Sequence, residues 1–336
     1  MVTQPLSMKQ LAELAGLDTS TVSRALRGDS SRVAKSTIER VRRLALETGY
    51  TPDHAAASLR GGSSRLLGVL VNTLDDIVMG ILLTAIVQEA HRLGYQPMVM
   101  VTNDDSEERA DAIRRLQGRR IDGIILCDSL LGKEVPAALL GSETPYLFAM
   151  RGCDEHVSVR ADDVQGGALV AEHFLRNGHT NIALVPGPAH VRTATDRAVG
   201  FQSTVERHPT ASLTMPGSGG YDAEDGYRAT KALFSMKQRP TAIFCTNDHA
   251  AIGASRALID MGYQVGHDVA VAGYNDLPWA KHLHTPLTTV RTDISSMGTS
   301  AASLLIDWIQ GGSVDSLVMV PELVIRESSK GPAPSR

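Results

Sequence analysis

Over the first fifty positions, apolar residues recur at intervals of three and four. Leu11, Leu14 and Ala15 make one series, Val22 and Leu26 a second, and Ile38, Val41, Leu44 and Ala45 a third. Each series has its own start and stop signals. Ser7 stands three residues before Gln10, a capping-box pattern that predicts a helix over about 8–15, ended by Gly16. Asp18 can cap a second helix over about 19–26. A third fits 31–49 and closes at Gly49.

Beyond residue 65 the pattern changes. Short apolar runs such as "LLGVLV", "PMVMVT", "DGIILC" and "PYLFAM" alternate with helical stretches of ten to fifteen residues. The series restarts after Asn177-Gly178 with "NIALVPG", "TAIFCTND" and "VAVAGYND". Strands separated by helices of this length predict parallel sheets with βαβ crossovers, here as two doubly wound halves. The fold class expected is an α-helical head plus an α/β body.

The second predicted helix, "TSTVSRAL", is built from residues that form helices poorly. Its apolar face is Val22 and Leu26; Thr19, Ser20, Ser23 and Arg24 lie on or near the other face. Two short helices joined by a tight turn with glycine form a helix-turn-helix. Short hydroxyls on its outer face can approach base edges and phosphates in a major groove, and an arginine can pair with guanine through two hydrogen bonds. Residues 51–62 hold Pro52, three alanines (55–57) and Gly61-Gly62, a segment too short to stay helical alone.

Charge sharpens this picture. Residues 1–65 carry ten Lys or Arg against six Asp or Glu, a net of +4, while the whole chain is −4, which leaves −8 on the rest. A basic head on an acidic body suits a nucleic-acid reader. The 336 residues, 43% of them hydrophobic, contain no apolar run long enough for a membrane span and no apolar signal-peptide core at the start, so a cytoplasmic protein is expected. The three cysteines (Cys127, Cys153, Cys245) are scattered and show no metal spacing. His282 and His284 lack a third ligand beside them, so neither metal nor cofactor is expected. There is no phosphate loop with its lysine and no nucleophile elbow, which argues against an enzyme.

In doubly wound sheets, ligands bind beyond the carboxyl ends of the strands. Polar residues cluster there: Asn72 and Asp75-Asp76, Asn103 and Asp104, Asn247 and Asp248, Asn275 and Asp276, with Arg197 after "NIALVPG" and Tyr221 in a glycine-rich loop. Carboxylates, amides, an arginine and an aromatic face suit a polyhydroxyl ligand. The same Asp and Asn residues are equally suited to cap helices.

The run "MKQLAELAGLDTSTVSRALRG", followed by "RVRRLALETGYTPDHAAASLRGG" and "LLGVLV", resembles the LacI/GalR family of bacterial transcription repressors. The body segments "GHTNIALVPGP", "RPTAIFCTNDHAAIGASRAL" and "DVAVAGYNDLPWAKHLHTPLTTVR" are similar to that family's periplasmic-binding-protein-like core. The resemblance implies that Thr19, Ser20 and Arg24 read bases. It makes 51–62 a hinge helix whose Leu59 wedges the minor groove, and puts effector contacts at Arg197, Tyr221, Asn247 and Asp276. It also implies a homodimer on pseudo-palindromic double-stranded operator DNA, with a small-molecule effector and no membrane partner. Where the family often carries aromatics after the first strand, this chain has Val78 and Met79, which favours a sugar over a purine-responsive corepressor mechanism. A solute-binding protein or an enzyme on the same body fold is the remote alternative. The expected boundaries are a head over 1–50, a hinge over 51–62, a core over 63–327 and a flexible tail over 328–336. Within the core, the first half takes about 63–160 and 291–320, and the second about 161–290 and 321–327.

Overall fold

The computed structural model describes residues 6–50, 63–131, 135–153, 155–217 and 219–331. The chain divides into two compact units, Met1–Ser64 and Arg65–Arg336. The hinge segment 51–62, with Leu59, lies outside the described residues.

The head is three helices. α1 (Met8–Ala15) starts with a complete capping box between Ser7 and Gln10 and stops at Gly16, whose φ of 63° is left-handed. α2 (Thr19–Arg27) is capped by Asp18, which accepts the Thr21 amide at 2.8 Å. α3 (Lys35–Glu47) begins at Ala34 with no side-chain cap. Leu11, Ala15, Val22, Ala25, Val41 and Tyr50 are buried at the centre. Leu14 is 58% exposed, because Leu11 and Ala15, four apart, already set the buried stripe with Ala12.

The body opens with β1 (Leu66–Val71), α4 (Ile77–Arg92), β2 (Gln96–Val101), α5 (Ser106–Gly118), β3 (Gly123–Leu126), β4 (Tyr146–Ala149) and β5 (Ser158–Ala161). The chain then enters a second half through α6 (Asp163–Arg176), β6 (Asn181–Val185), α7 (Arg192–Glu206), β7 (Ser212–Thr214), α8 (Ala223–Phe234), β8 (Ala242–Cys245), α9 (Asp248–Asp260), β9 (Ala270–Tyr274) and β10 (Thr288–Arg291). It returns to the first half with α10 (Ile294–Ile309) and β11 (Leu317–Met319), and crosses once more to β12 (Glu322–Val324). The sheet orders are β11-β5-β4-β3-β1-β2, all parallel, and β12-β10-β9-β8-β6-β7, parallel except for β12. Central strands such as β3, β6 and β8 are buried along their whole length, as a sheet covered by helices on both faces requires.

Two expectations need correction. Asp76, expected among the polar residues at the strand ends, instead caps the helix that starts at Ile77 by accepting the Val78 amide. The tail expected from 328 is ordered through its first residues. Ser328 and Ser329 are fully buried. Ser328 donates to the Val271 carbonyl at 2.6 Å and accepts the Thr288 amide at 2.8 Å, while Ser329 meets His173 Nε2 at 2.8 Å. Short hydroxyls satisfy buried backbone groups here, and a polar composition hides that role. Among the described residues, no helix is long and apolar enough to cross a membrane.

Candidate functional site

Two surfaces carry the residues singled out above. On α2, Thr19 and Ser20 are exposed, and Ser23 and Arg24 are half-buried. The cap organises this face. Asp18 accepts from the Ser20 hydroxyl at 2.6 Å and from the Thr21 hydroxyl at 2.7 Å, and these bonds hold its carboxyl well below the usual carboxylate range. Ser20 thus donates inward and keeps its lone pairs for an outside partner. Arg24 forms no ion pair among the described residues. The helix presents a donor-bearing guanidinium and short hydroxyls on a surface that its apolar positions leave free.

The second surface lies at the carboxyl ends of the body strands. Arg197, in the second turn of α7, is its anchor. It is 6% exposed; its Nε donates to Asp163 Oδ1 at 2.8 Å and its Nη1 to the Thr246 carbonyl at 2.9 Å. Its guanidinium lies 3.8 Å above the centre of the Tyr274 ring. Burial opposes the charge, but Asp163, Tyr274 and Tyr221 together keep its pKa above the ordinary arginine value. Gly166 makes this stack possible, since a Cβ there would run into the Tyr274 hydroxyl.

Tyr221 is half-buried, with its hydroxyl 3.3 Å from Thr193 Oγ1. Gly187 gives its ring room, because a Cβ there would sit 2.6 Å from the ring edge. Asn247 serves two local tasks. Its Oδ1 caps α9 by accepting the Ala250 amide at 2.9 Å, and its Nδ2 donates to the Tyr221 carbonyl at 2.8 Å. Asp276 is held from both sides: Oδ1 accepts from Arg326 Nη2 at 2.6 Å and Oδ2 from Arg291 Nε at 2.8 Å. Asn275 and Asp276 have φ of 106° and 49°, a left-handed turn that Asn and Asp tolerate better than other side-chain-bearing residues. Beneath them Asp248 is fully buried, accepts from the Thr289 hydroxyl and the Leu277 amide, and has its pKa pushed up to about 7, chiefly by burial.

Arg197, Tyr221 and Asn247 are thereby brought together. Asp75 is not among them: its side chain is exposed and makes no hydrogen bond or ion pair among the described residues. It sits in a turn closed by its own amide on Thr73 Oγ1. Val78 and Met79 are 6% and 2% exposed and pack in the first half's core with Leu277 and Ile294. Leu277 follows β9 of the second half, so this core cluster joins the two halves of the body; a bond from the Leu131 amide to the His190 carbonyl at 2.9 Å ties them elsewhere. Sequence reasoning overlooked Asp163, Thr246 and Arg151. Thr246 directly follows β8, Asp163 opens α6 and Arg151 stands two residues past β4, and these strand-end positions were the available signal. Arg151 is 5% exposed and paired with Asp104 at 2.6 Å. Among the described residues, no cluster of three or more His, Cys, Asp or Glu could hold a metal ion.

Comparison with known proteins identifies the head and the body as domains. The model of bacterial regulatory proteins of the lacI family matches residues 7–53, and that of the periplasmic binding protein-like domain matches 171–329. The HTH-type transcriptional repressor PurR of Vibrio parahaemolyticus is 30% identical over 338 residues, covering 96% of this chain and 98% of that protein. PurR of Haemophilus influenzae is 29% identical over 335 residues with the same coverage. Among solved structures, the lac repressor dimer bound to operator and the anti-inducer ONPF superposes with a TM-score of 0.87 at 28% identity, covering 97% of this chain and 99% of that one. A helix-turn-helix head and a two-sheet α/β body of this kind define a DNA-binding transcriptional regulator. The chain belongs to the LacI family, whose members are transcription repressors rather than enzymes.

Proposed function

We propose that this regulator is a cytoplasmic repressor that binds a pseudo-palindromic operator as a homodimer and changes its operator affinity when a small hydroxylated effector enters the body cleft. The observation that carries this is the likeness over 97% of the chain to a lac repressor dimer bound to operator and anti-inducer. Thr19, Ser20, Ser23 and Arg24 read one half-site, and Leu59 of each chain opens the central base step. Arg197, Tyr221, Asn247 and Asp276 form the second-half wall of the effector site. The exposed edge of the first sheet supports a dimer: β2 reads "QPMVMV", with Val99 and Val101 36% and 39% exposed. A groove of mixed lining along α4, with Ile77, Ile81 and Ala85 beside Thr84, Gln88 and Ser295, adds to it. Bare edges of this kind need covering.

A purine-responsive corepressor mechanism is the second reading, because curated relatives are repressors called PurR. The buried aliphatic Val78 and Met79 weigh against it, since they offer no aromatic face to a base.

The test is operator affinity with and without candidate effectors, measured by fluorescence anisotropy on a duplex enriched from random DNA. The coupling is reciprocal, so a ligand that weakens DNA binding must itself bind more weakly to the DNA complex by the same factor. Asp276→Ala is expected to lose the ligand response and keep operator binding; a normal response in that variant removes Asp276 from the site.

A further inference from the structure

The cleft is rich in donors and short of free acceptors. The carboxylates at its strand ends are spent on arginines: Asp104 on Arg151, Asp163 on Arg197, and both oxygens of Asp276 on Arg326 and Arg291. Each of these carboxylates is already committed to a guanidinium, which leaves fewer lone pairs for the hydroxyls of a neutral polyol. The arginines have donors left over. Arg151 lies at the carboxyl end of β4 with its side chain 6% exposed, and Asp104 Oδ1 takes one bond from its Nη1. Its Nε and Nη2 bond to no protein atom among the described residues, and neither is sealed from solvent. Arg151 therefore stands at the carboxyl end of the first sheet with two donors uncommitted. A second orphan lies at the carboxyl end of β8, in the second sheet. Thr246 is fully buried, and its Oγ1 has no partner. A buried polar atom without a partner is rare in a finished core and common where a ligand group belongs.

We infer that the effector carries a carboxylate or phosphate that docks on the Nε–Nη2 edge of Arg151, with its hydroxylated remainder reaching toward Tyr221 and Thr246. The ligand class is a sugar acid or a sugar phosphate. A planar guanidinium with two adjacent free donors matches either oxyanion through paired hydrogen bonds. This inference rests on the effector-cleft reading above and adds the charge of the ligand to it.

The test is calorimetry on the full-length protein with matched sets of probes: glucose, gluconate and glucose 6-phosphate; ribose, ribonate and ribose 5-phosphate; and hypoxanthine. An anionic member is expected to bind about 10- to 100-fold more tightly than its neutral parent, the worth of a charge-assisted bond. Arg151→Gln should remove that advantage. Asp104→Asn, which releases the guanidinium from its competitor, should tighten the anion several-fold; a purely structural pair would give no such gain. If Arg151→Gln fails to fold, Arg151→Lys keeps the charge but loses the fork, and weaker anion binding in a folded protein supports the inference. The acid and phosphate arms tell the two oxyanions apart. Silence of every anionic probe, or equal binding of a neutral sugar or hypoxanthine to the wild type and Arg151→Gln, overturns the inference. The same probes are read on operator affinity. A neutral compound that shifts it overturns the anionic effector alone; if no compound shifts it, the effector-cleft reading falls as well.

Discussion

The outer face of α2 and the body cleft are built from the same residue types, hydroxyls, carboxylates and arginine, and treat them in opposite ways. On α2 the polar groups stay outward: Thr19 and Ser20 are exposed, and Arg24 forms no ion pair among the described residues. In the cleft they are bound to one another. Arg197 is fixed by Asp163, Thr246 and Tyr274; Asn247 is shared between a helix cap and Tyr221; Asp276 is clamped by two arginines. The contrast follows from burial. A solvated face can leave donors to water until DNA arrives. A buried cleft must satisfy its charges internally, because an unpaired charge there is costly. On the proposed function, a ligand would replace water at the few positions left open at the strand ends, whereas DNA would meet a face where little is committed.

The comparison can be broken hardest at Arg197. Arg197→Ala leaves Asp163 buried and unpaired, and is expected to destabilise the body by about 3–5 kcal/mol in urea unfolding. A loss below about 1 kcal/mol would mean the pair is not holding the cleft. Next comes Asp248. Its folded pKa of about 7 lies above the ordinary value of 3.8, so the stability it lends is complete below about pH 4 and is lost as pH rises through 7. The body should lose up to about 1.4 kcal/mol per pH unit across that window from this group. Asp248→Asn should flatten the slope, and an unchanged slope would assign it elsewhere. On the head, Arg24→Ala should cost about 1–3 kcal/mol at one operator position and leave stability within about 0.5 kcal/mol of wild type. The smallest effect is a gain. Ala34→Ser supplies the cap that α3 lacks and should protect its first-turn amides from hydrogen exchange by about 1 kcal/mol.

The head was largely legible because its signals are local. Ser7 with Gln10, Gly16 and Asp18 act within four residues, and the helices form where those residues stand. The body's layout was legible for the same reason, since strand and helix periods alternate in plain view. The cleft was legible only as an edge. Which side chains pair across it depends on partners far apart in the chain: Asp276 is fixed by Arg326, fifty positions on, and Arg197 by Asp163, thirty-four back. Asp75 and Asp76 show the ambiguity at its sharpest. They are adjacent and identical in type, yet Asp76 caps α4 and Asp75 points to solvent. Arg151 was overlooked because attention to carboxylates and amides at strand ends passed over a cation in the same place. Ser328 and Ser329 read as a polar tail and instead fill backbone hydrogen bonds in the second half.

The most direct test of the account is selection of random duplex DNA by full-length wild type and Arg24→Ala in parallel, in about 0.15 M salt so that phosphate-only binding is suppressed. The account predicts a pseudo-palindrome for the wild type and, for Arg24→Ala, the same motif with one symmetric pair of positions relaxed. No enriched motif, or a uniform loss at every position in the variant, would contradict base reading by the free face of α2.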